Sequence, residues 1–596
     1  MPGMHSAVNA KSPFITSQFN FALILEFLIL VGLVIVVALV ATLLFRRMTN
    51  RSPSDAVRSL GGAVDVEPPV RMFLRIGFGV LWIIDGLLQL QPEMPLGLPT
   101  QVVSPTVASA PHWLVSLVDF GTNAWLRHPV LAASGTVWLQ LGLGIWLLVA
   151  NRGWWSRSAG WASAAWAIGV WVFGNGFGGL FVAPISWTTG APGAVLFYAI
   201  AGVAIGLRPG RLRSPLFALW ASRVTALMLG YFALLQAWPG RGFWNGDGGR
   251  GAFPAMAQSM GSVSQPAFAS SIQHWFATFT TNTSWLYNGV VVVVLAFTAV
   301  CYFTNNVRVM KPAAIAYVAL ALVNWVLVQD FAVFGGMGTD LNSMIPSSLI
   351  VLAVFVLVRD TKHEPRIEED SSTQESLDTV VLRRVGASAA IGMFLLGAIP
   401  MAAIAVLSGT SADVAAATGA GVATLNSPAP DFTLTNENGA SVSLATLRGK
   451  TIVMAFLDPV CTSDCPIEAQ QMRLAQQQLG PDSNTVLVAV NTNPIYRSQA
   501  TLQTFSANEG LASNKTWYYL TGSANQLEGM WNAYGVSVQL VAGGGMVAHA
   551  EPIYVIDAQG QMRSTWTAVT GGGVSSSLTS QSGVSLIVDQ VKKAQK

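Results

Sequence analysis

Cys461, Cys465 and His549 are the residues of this 596-residue chain whose types and spacing offer the clearest chemistry. The two cysteines stand in FLDPVCTSDCP, residues 456–466, with three residues between them. Side chains four positions apart meet on one face of a helix, so the two sulfurs can face each other. Such a pair can form and break a disulfide by thiolate exchange, or grip a soft metal such as copper(I) or zinc. In an oxidising compartment two thiols that meet do not stay inert. A redox pair, a structural disulfide and a metal clamp are the readings that remain. Cys301, the third cysteine, stands alone in an apolar run. Thiol relays need exchanging pairs, so Cys301 reads as a small apolar side chain and not as part of an electron conduit.

The elements that must position the pair lie in residues 429–596. FTLTNENGASVSL (432–444) alternates about an Asn-Gly turn and predicts a hairpin. TIVMAFLD (451–458) predicts a buried strand, and the spacing after it a helix over 464–479. Strands are expected at 485–493 and 517–522, helices at 498–509, 524–534 and 583–594, and a hairpin at 553–566. Helices alternating with strands, with hairpins at both ends, predict a thioredoxin-like α/β domain. There the loop after the first buried strand meets a helix N-terminus, where backbone N–H groups and the dipole stabilise a thiolate. Cys461 is expected at that point. The Gly-rich stretch 538–548 leaves His549 free to move, and its Met546 is either a further soft ligand or a loop residue. The Ala-, Gly- and Ser-rich stretch 411–428 reads as a flexible linker.

The order hairpin, strand, Cys461-Thr-Ser-Asp-Cys465-Pro466 and then His549-Ala-Glu-Pro-Ile-Tyr554-Val-Ile-Asp557 resembles the Sco (SenC/PrrC-type) proteins. The resemblance spans about residues 428–568. It implies a copper site of two thiolates and one imidazole, from Cys461, Cys465 and His549. It also implies a role in assembling the copper centre of haem–copper oxidase, with an oxidase subunit or another extracytoplasmic thiol or copper protein as partner. The other implied role is a disulfide reductase, with Cys461 as nucleophile and Cys465 as resolver. A peroxidase should carry Pro-x-x-x-Thr before its nucleophile, and AFLDPVC does not. This chain has Ala548 where the family often has Asp, and Asn493-Pro494 where it has Asp-Pro.

The rest of the chain is a different solvent problem. Composition is 52% hydrophobic and only 10% charged, and the charge deficit falls on residues 1–410. Apolar runs of about 20 residues match a bilayer core. Ten spans are expected, at about 22–45, 72–91, 130–150, 159–182, 191–207, 215–237, 286–304, 312–334, 343–358 and 387–408. The first is too long for a cleaved signal peptide and is followed by Arg46 and Arg47, so it reads as a retained anchor within 1–50. Arg and Lys concentrate in alternate loops, 46–75, 151–158, 208–213, 305–311 and 359–386. The positive-inside rule puts these in the cytoplasm, and the N-terminus and C-terminal domain outside the cytoplasm, in a multi-pass protein of the cell membrane. Nothing in the small net charge of +3 points to nucleic acid.

Residues 70–213 and 214–360 read as two parallel copies of a four-helix unit, with 385–410 as a tenth span. LLQLQP (87–92) matches LLQAWP (234–239), and TNAW (122–125) matches TNTSW (281–285). Trp171 with Phe177 matches Trp325 with Phe331. The pattern from Arg75 to Gln89, R-x-G-x-G-x-L-W…D-G-L-L-Q, resembles DoxX/DoxD-like membrane proteins, which implies quinone or thiol redox chemistry. Asp85 and Asp330 are either functional membrane charges or carboxylates reaching water from a helix end. His112 and His274, matched between the copies, could meet a quinone or metal, or belong to interfacial aromatic anchors.

Overall fold

The computed structural model describes residues 13–48, 67–107, 110–182, 185–246, 251–261, 265–334, 337–362, 377–404, 406–407, 422–462, 464–540, 546–568 and 583–596. Each expected span overlaps a helix, although the helices at 159–182 and 312–334 end early, at Gly169 and Leu327. The overlapping helices are Pro13–Met48, Pro69–Leu88, Pro129–Val149, Gly153–Gly169, Ala194–Gly206, Pro215–Ala237, Ala267–Phe303, Val307–Leu327, Met344–Lys362 and Leu377–Ala403. Seven carry stretches long and apolar enough to cross a membrane, and Ala194–Gly206 is apolar but shorter. Proline opens several of them, where its missing N–H costs nothing. The Pro129–Val149 helix packs closely on Leu377–Ala403. Gly135 and Gly142 face Gly397 and Phe394 with no room for a Cβ, the small-residue contact that lets helix backbones approach in an apolar medium.

Three expectations change here. Arg71 and Arg75 are not loop residues; they lie buried in the Pro69–Leu88 helix. Segments between the expected spans are largely helical: His112–Arg127 and Ala252–Gly261 are helices, and Ala267–Phe303 begins well before the expected span 286–304, with a kink at Thr283. Residues 423–428 of the expected linker form a strand, and the last apolar helix starts at Leu377, not 385, and ends at Ala403.

The matched aromatic pairs adopt one geometry in both proposed copies. Trp171 meets Phe177 edge-on at 5.0 Å, and Trp325 meets Phe331 edge-on at 5.3 Å. Phe177 and Phe331 both take left-handed backbone, with φ of 60° and 56°. This is a corner that non-glycine residues rarely adopt, and it recurs at equivalent positions.

The C-terminal domain is built on an eight-stranded sheet, ordered β1-β10-β9-β4-β5-β6-β2-β3. Its strands are β1 (Ala423–Pro428), β2 (Thr433–Asn436), β3 (Ser441–Ser443), β4 (Thr451–Leu457), β5 (Thr485–Asn491), β6 (Trp517–Thr521), β9 (Pro552–Ile556) and β10 (Gln561–Thr567). β7 (Val538–Leu540) and β8 (Val547–His549) form a separate ribbon. β4, β5 and β6 run parallel, and β4 and β5 are buried along their whole length, as strands covered on both faces should be. Helices Asp464–Leu479 and Gly583–Ala594 pack on one face, around Leu457, Met472 and Ile587. Helix Ala524–Ala533, started by a Ser523–Gln526 capping box, packs on the other with Phe456 and Tyr554. β1 joins the edge through β10 with an irregularity between Thr424 and Ser427, and the opposite edge strand β3 has three residues.

Candidate metal centre

The buried strand β4 ends at Leu457, and at Asp458 the chain turns. The Cys461 amide donates to the Asp458 carbonyl at 3.1 Å, and helix Asp464–Leu479 begins three residues after Cys461. Cys461 therefore precedes the helix, and it is Cys465 that sits in its first turn. Both cysteines are free. Cys465 is fully buried and Cys461 partly exposed, and their sulfurs are hydrogen-bonded to each other. That bond, with burial and the Cys461 charge, pushes the Cys465 thiol well above its ordinary range; the Asp458 amide, 3.3 Å from Sγ, opposes the rise. Cys465, and not Cys461 as expected, occupies the helix's first turn, and there desolvation outweighs the helix end.

His549 arrives from the other side, at the end of β8. Its Nε2 lies 3.4 Å from the Cys465 Sγ, and its Nδ1 lies 3.0 Å from the Ala550 carbonyl. With Nδ1–H donating to that carbonyl, Nε2 keeps a lone pair turned to the sulfur. Two ligands each about 2.0–2.3 Å from one ion are themselves roughly 3.5 Å apart. The Cys465–His549 spacing, a sulfur beside an imidazole nitrogen, fits a soft cation such as copper(I). Sequence reasoning expected the Gly-rich segment to leave His549 loose; instead β8 pairs it with Val538. Met546 Sδ receives the Thr462 hydroxyl at 3.9 Å, which puts it beside the cysteine loop.

Three acidic residues missed from the sequence complete the site. Asp458 is fully buried and binds three segments at once: its carboxylate accepts from the Val460 amide at 3.0 Å, Asn493 Nδ2 at 3.1 Å and the Val547 amide at 2.8 Å. It thereby ties the cysteine loop, the end of β5 and the start of β8. Its signal in the sequence was an acid ending the apolar run TIVMAFLD. Glu468, one turn after Cys465, is fully buried, and neither carboxylate oxygen has a hydrogen-bond partner among the described residues. Burial and the charges of Glu551 and Cys461 push it well above the usual carboxylate range. Glu551, in the turn between β8 and β9, is pushed up to about 8 by burial and the charges of Asp464 and Cys461. Cys465, His549 and Glu551 each place a ligand atom within 4.8 Å of the others.

Residues 423–573 match the SCO1/SenC family model. The C-terminal domain belongs to the SCO1/SenC family. A SCO1 protein homolog of Bacillus subtilis is 26% identical over 148 residues, which is 24% of this chain and 76% of that one. Among solved structures, copper-bound ScoI of Bradyrhizobium japonicum is 19% identical over 28% of this chain and 99% of its own, with a TM-score of 0.24. BsSco, described as a member of the Sco family of cytochrome c oxidase assembly proteins with a disulfide switch, is 24% identical over 29% and 95%, with a TM-score of 0.25. These likenesses cover the SCO1/SenC domain and lend nothing to the DoxX-like resemblance or to a quinone.

The membrane-half candidates do not join this site. Asp85 and Asp330 are buried, at 2% and 3% exposure, so neither reaches water as a helix-end carboxylate would. Asp330 accepts from Gln273 Nε2 at 3.0 Å. His112 and His274 are exposed beside exposed Trp113 and Trp275, the arrangement of an interfacial anchor. Cys301 is buried in the Ala267–Phe303 helix. A cavity of about 420 Å³ lies between the two proposed copies, lined by Asn175, Thr189, Met337, Thr339, Asp340 and Asn342 among others.

Proposed function

We propose that the chain is a membrane-anchored, extracytoplasmic Sco-like protein that binds copper through Cys461, Cys465 and His549 and assists assembly of a respiratory copper oxidase. The observation that carries this reading is the convergence of the Cys465 sulfur and His549 Nε2 at 3.4 Å, with Cys461 hydrogen-bonded to Cys465. The SCO1/SenC family of the domain supports the choice of client. Bound copper would supply a cargo for an acceptor site, and the protein's own part is to hold and release it. Asp458 keeps the cysteine loop and the histidine strand in register, the Ala550 carbonyl fixes the imidazole tautomer, and partly exposed Cys461 is where an acceptor's ligand can enter.

The placement rests on the sequence. Arg and Lys concentrate in alternate segments between the apolar runs, and the ten spans expected from the sequence, seven of them on helices long and apolar enough to cross a bilayer, return the chain to the side on which it began. We read the membrane part as two copies of a four-helix unit, on the recurrent Trp–Phe corners, and as the anchor that keeps the copper domain at the bilayer.

A second reading has its own support: an accessible Cys461 beside a buried Cys465 is also the arrangement of an attacking and a resolving thiol. One experiment divides the two. Purified full-length protein, reduced and anaerobic in detergent, is titrated with copper(I) as wild type, Cys461→Ser and His549→Ala. The copper reading expects one-to-one binding that weakens in both variants. Binding untouched by His549→Ala overturns it. Loss of disulfide-reductase activity in Cys461→Ser, with full activity in His549→Ala, would then favour the oxidoreductase.

A further inference from the structure

We propose that Glu551 is a fourth metal ligand, a carboxylate that engages copper(II) but not copper(I). This rests on the copper reading above and adds a residue to it. The warrant is geometric. A Glu551 carboxylate oxygen lies within 4.8 Å of both the Cys465 Sγ and the His549 ligand nitrogen, close enough for one ion to reach all three. Its backbone is held on both sides: the Ala568 amide donates to the Glu551 carbonyl at 2.9 Å, and the Ala550 amide to the Ser537 carbonyl at 3.0 Å. Pro552 follows directly and opens β9. The carboxylate is thus presented from a fixed turn and not from a mobile loop.

The electrostatics select the oxidation state. The charges that act on Cys465 and Glu551 come from acids, namely Cys461, Glu551 and Asp464. Copper(I) with two thiolates already carries net negative charge, so a carboxylate on it would add repulsion in a poorly solvated site. Copper(II) with two thiolates is neutral, prefers four donors in a tetragonal arrangement, and accepts a hard oxygen. Two sulfurs and an imidazole satisfy the reduced ion without help. The same turn therefore offers a donor that only the oxidised ion has reason to take.

The test uses full-length protein in detergent as wild type, Glu551→Gln and Glu551→Asp. Copper(I) affinity is measured by competition with a chromophoric chelator. Copper(II) is followed by competition and by electron paramagnetic resonance. Glu551→Gln is expected to hold copper(I) as wild type does, which also shows that it is folded. Its copper(II) affinity is expected to fall about tenfold or more, with a changed copper hyperfine pattern. Glu551→Asp keeps the charge but retracts the oxygen, and its copper(II) spectrum is expected to differ from wild type in the same way. A wild-type copper(II) spectrum and affinity in Glu551→Gln would overturn the proposal. So would a wild-type spectrum in Glu551→Asp, which would assign Glu551 a charge effect and not a bond. Failure of the wild type to bind copper(I), or indifference to His549→Ala, would bring down the underlying copper reading instead.

Discussion

In the helical half, Arg71 and Arg75 are buried beside Glu67, at 2.8 and 3.0 Å, and spend their remaining donors on carbonyls of Leu147, Leu148 and Ile205. In the C-terminal domain, Cys465 and Glu551 gather around His549, and the charges of Glu551 and Cys461 also act on buried Glu468. The first arrangement is closed: both guanidinium groups share the Glu67 carboxylate, and with the bond from Arg71 to the Ser156 hydroxyl the cluster staples four helices. The second is open, because like-charged acids out of water raise one another and a cation is what would relieve them. Buried charge alone does not mark a functional site; buried charge of one sign does so more strongly.

The largest effect should come from unbalancing the closed cluster. Glu67→Gln leaves two buried guanidinium groups uncompensated and should cost about 3–5 kcal/mol in the membrane half. Thermal unfolding in detergent measures it, and copper(I) affinity should stay at the wild-type value. An unchanged melting temperature would break the contrast. Next, Asp458→Ala orphans three buried donors at about 1–3 kcal/mol each. Urea unfolding should show a loss of roughly 3 kcal/mol or more, with weaker copper(I) binding as the cysteine loop and β8 part. Lost stability with unchanged affinity would make Asp458 a fold residue only.

A smaller effect concerns pH. Glu468 has its folded value raised above the ordinary 4.5, so its contribution to stability is complete below about 4.5 and is lost as pH rises toward the folded value. Metal-free protein should therefore lose stability as pH climbs above about 4.5, and Glu468→Gln should flatten that slope in a pH series of melting temperatures. The smallest effect separates the thiols. Iodoacetamide should modify Cys461 well before Cys465, whose thiol is buried and raised, while Cys301→Ser should leave copper stoichiometry untouched. Faster labelling of Cys465 would reverse the assignment of entry point.

The domain was readable because its signals are local. Alternation about Asn438-Gly439, the apolar run at β4 and the Cys-x-x-x-Cys-Pro spacing each depend on neighbours in sequence. β1 escaped notice because Ala423–Pro428 has no strand-forming run of its own and is extended only by its pairing with β10. Glu468 reads as one polar residue in the polar helix DCPIEAQQMRLAQQQL, and nothing local says that this turn faces the core. Glu551 acquires meaning only when β8 and β9 bring it to Cys465. Arg71 and Arg75 were counted as loop charges because their partners, at Glu67 and on three other helices, are set by packing.

The margins of the sheet have a consequence for life at a crowded bilayer. β3 offers three residues to a stranger, and β1 is interrupted between Thr424 and Ser427 and ends at Pro428, which has no N–H to give. Short, bulged and proline-ended borders resist edge-to-edge zippering. Copies of this protein anchored as proposed, and so concentrated in two dimensions, can thus collide repeatedly without their sheets fusing into aggregates.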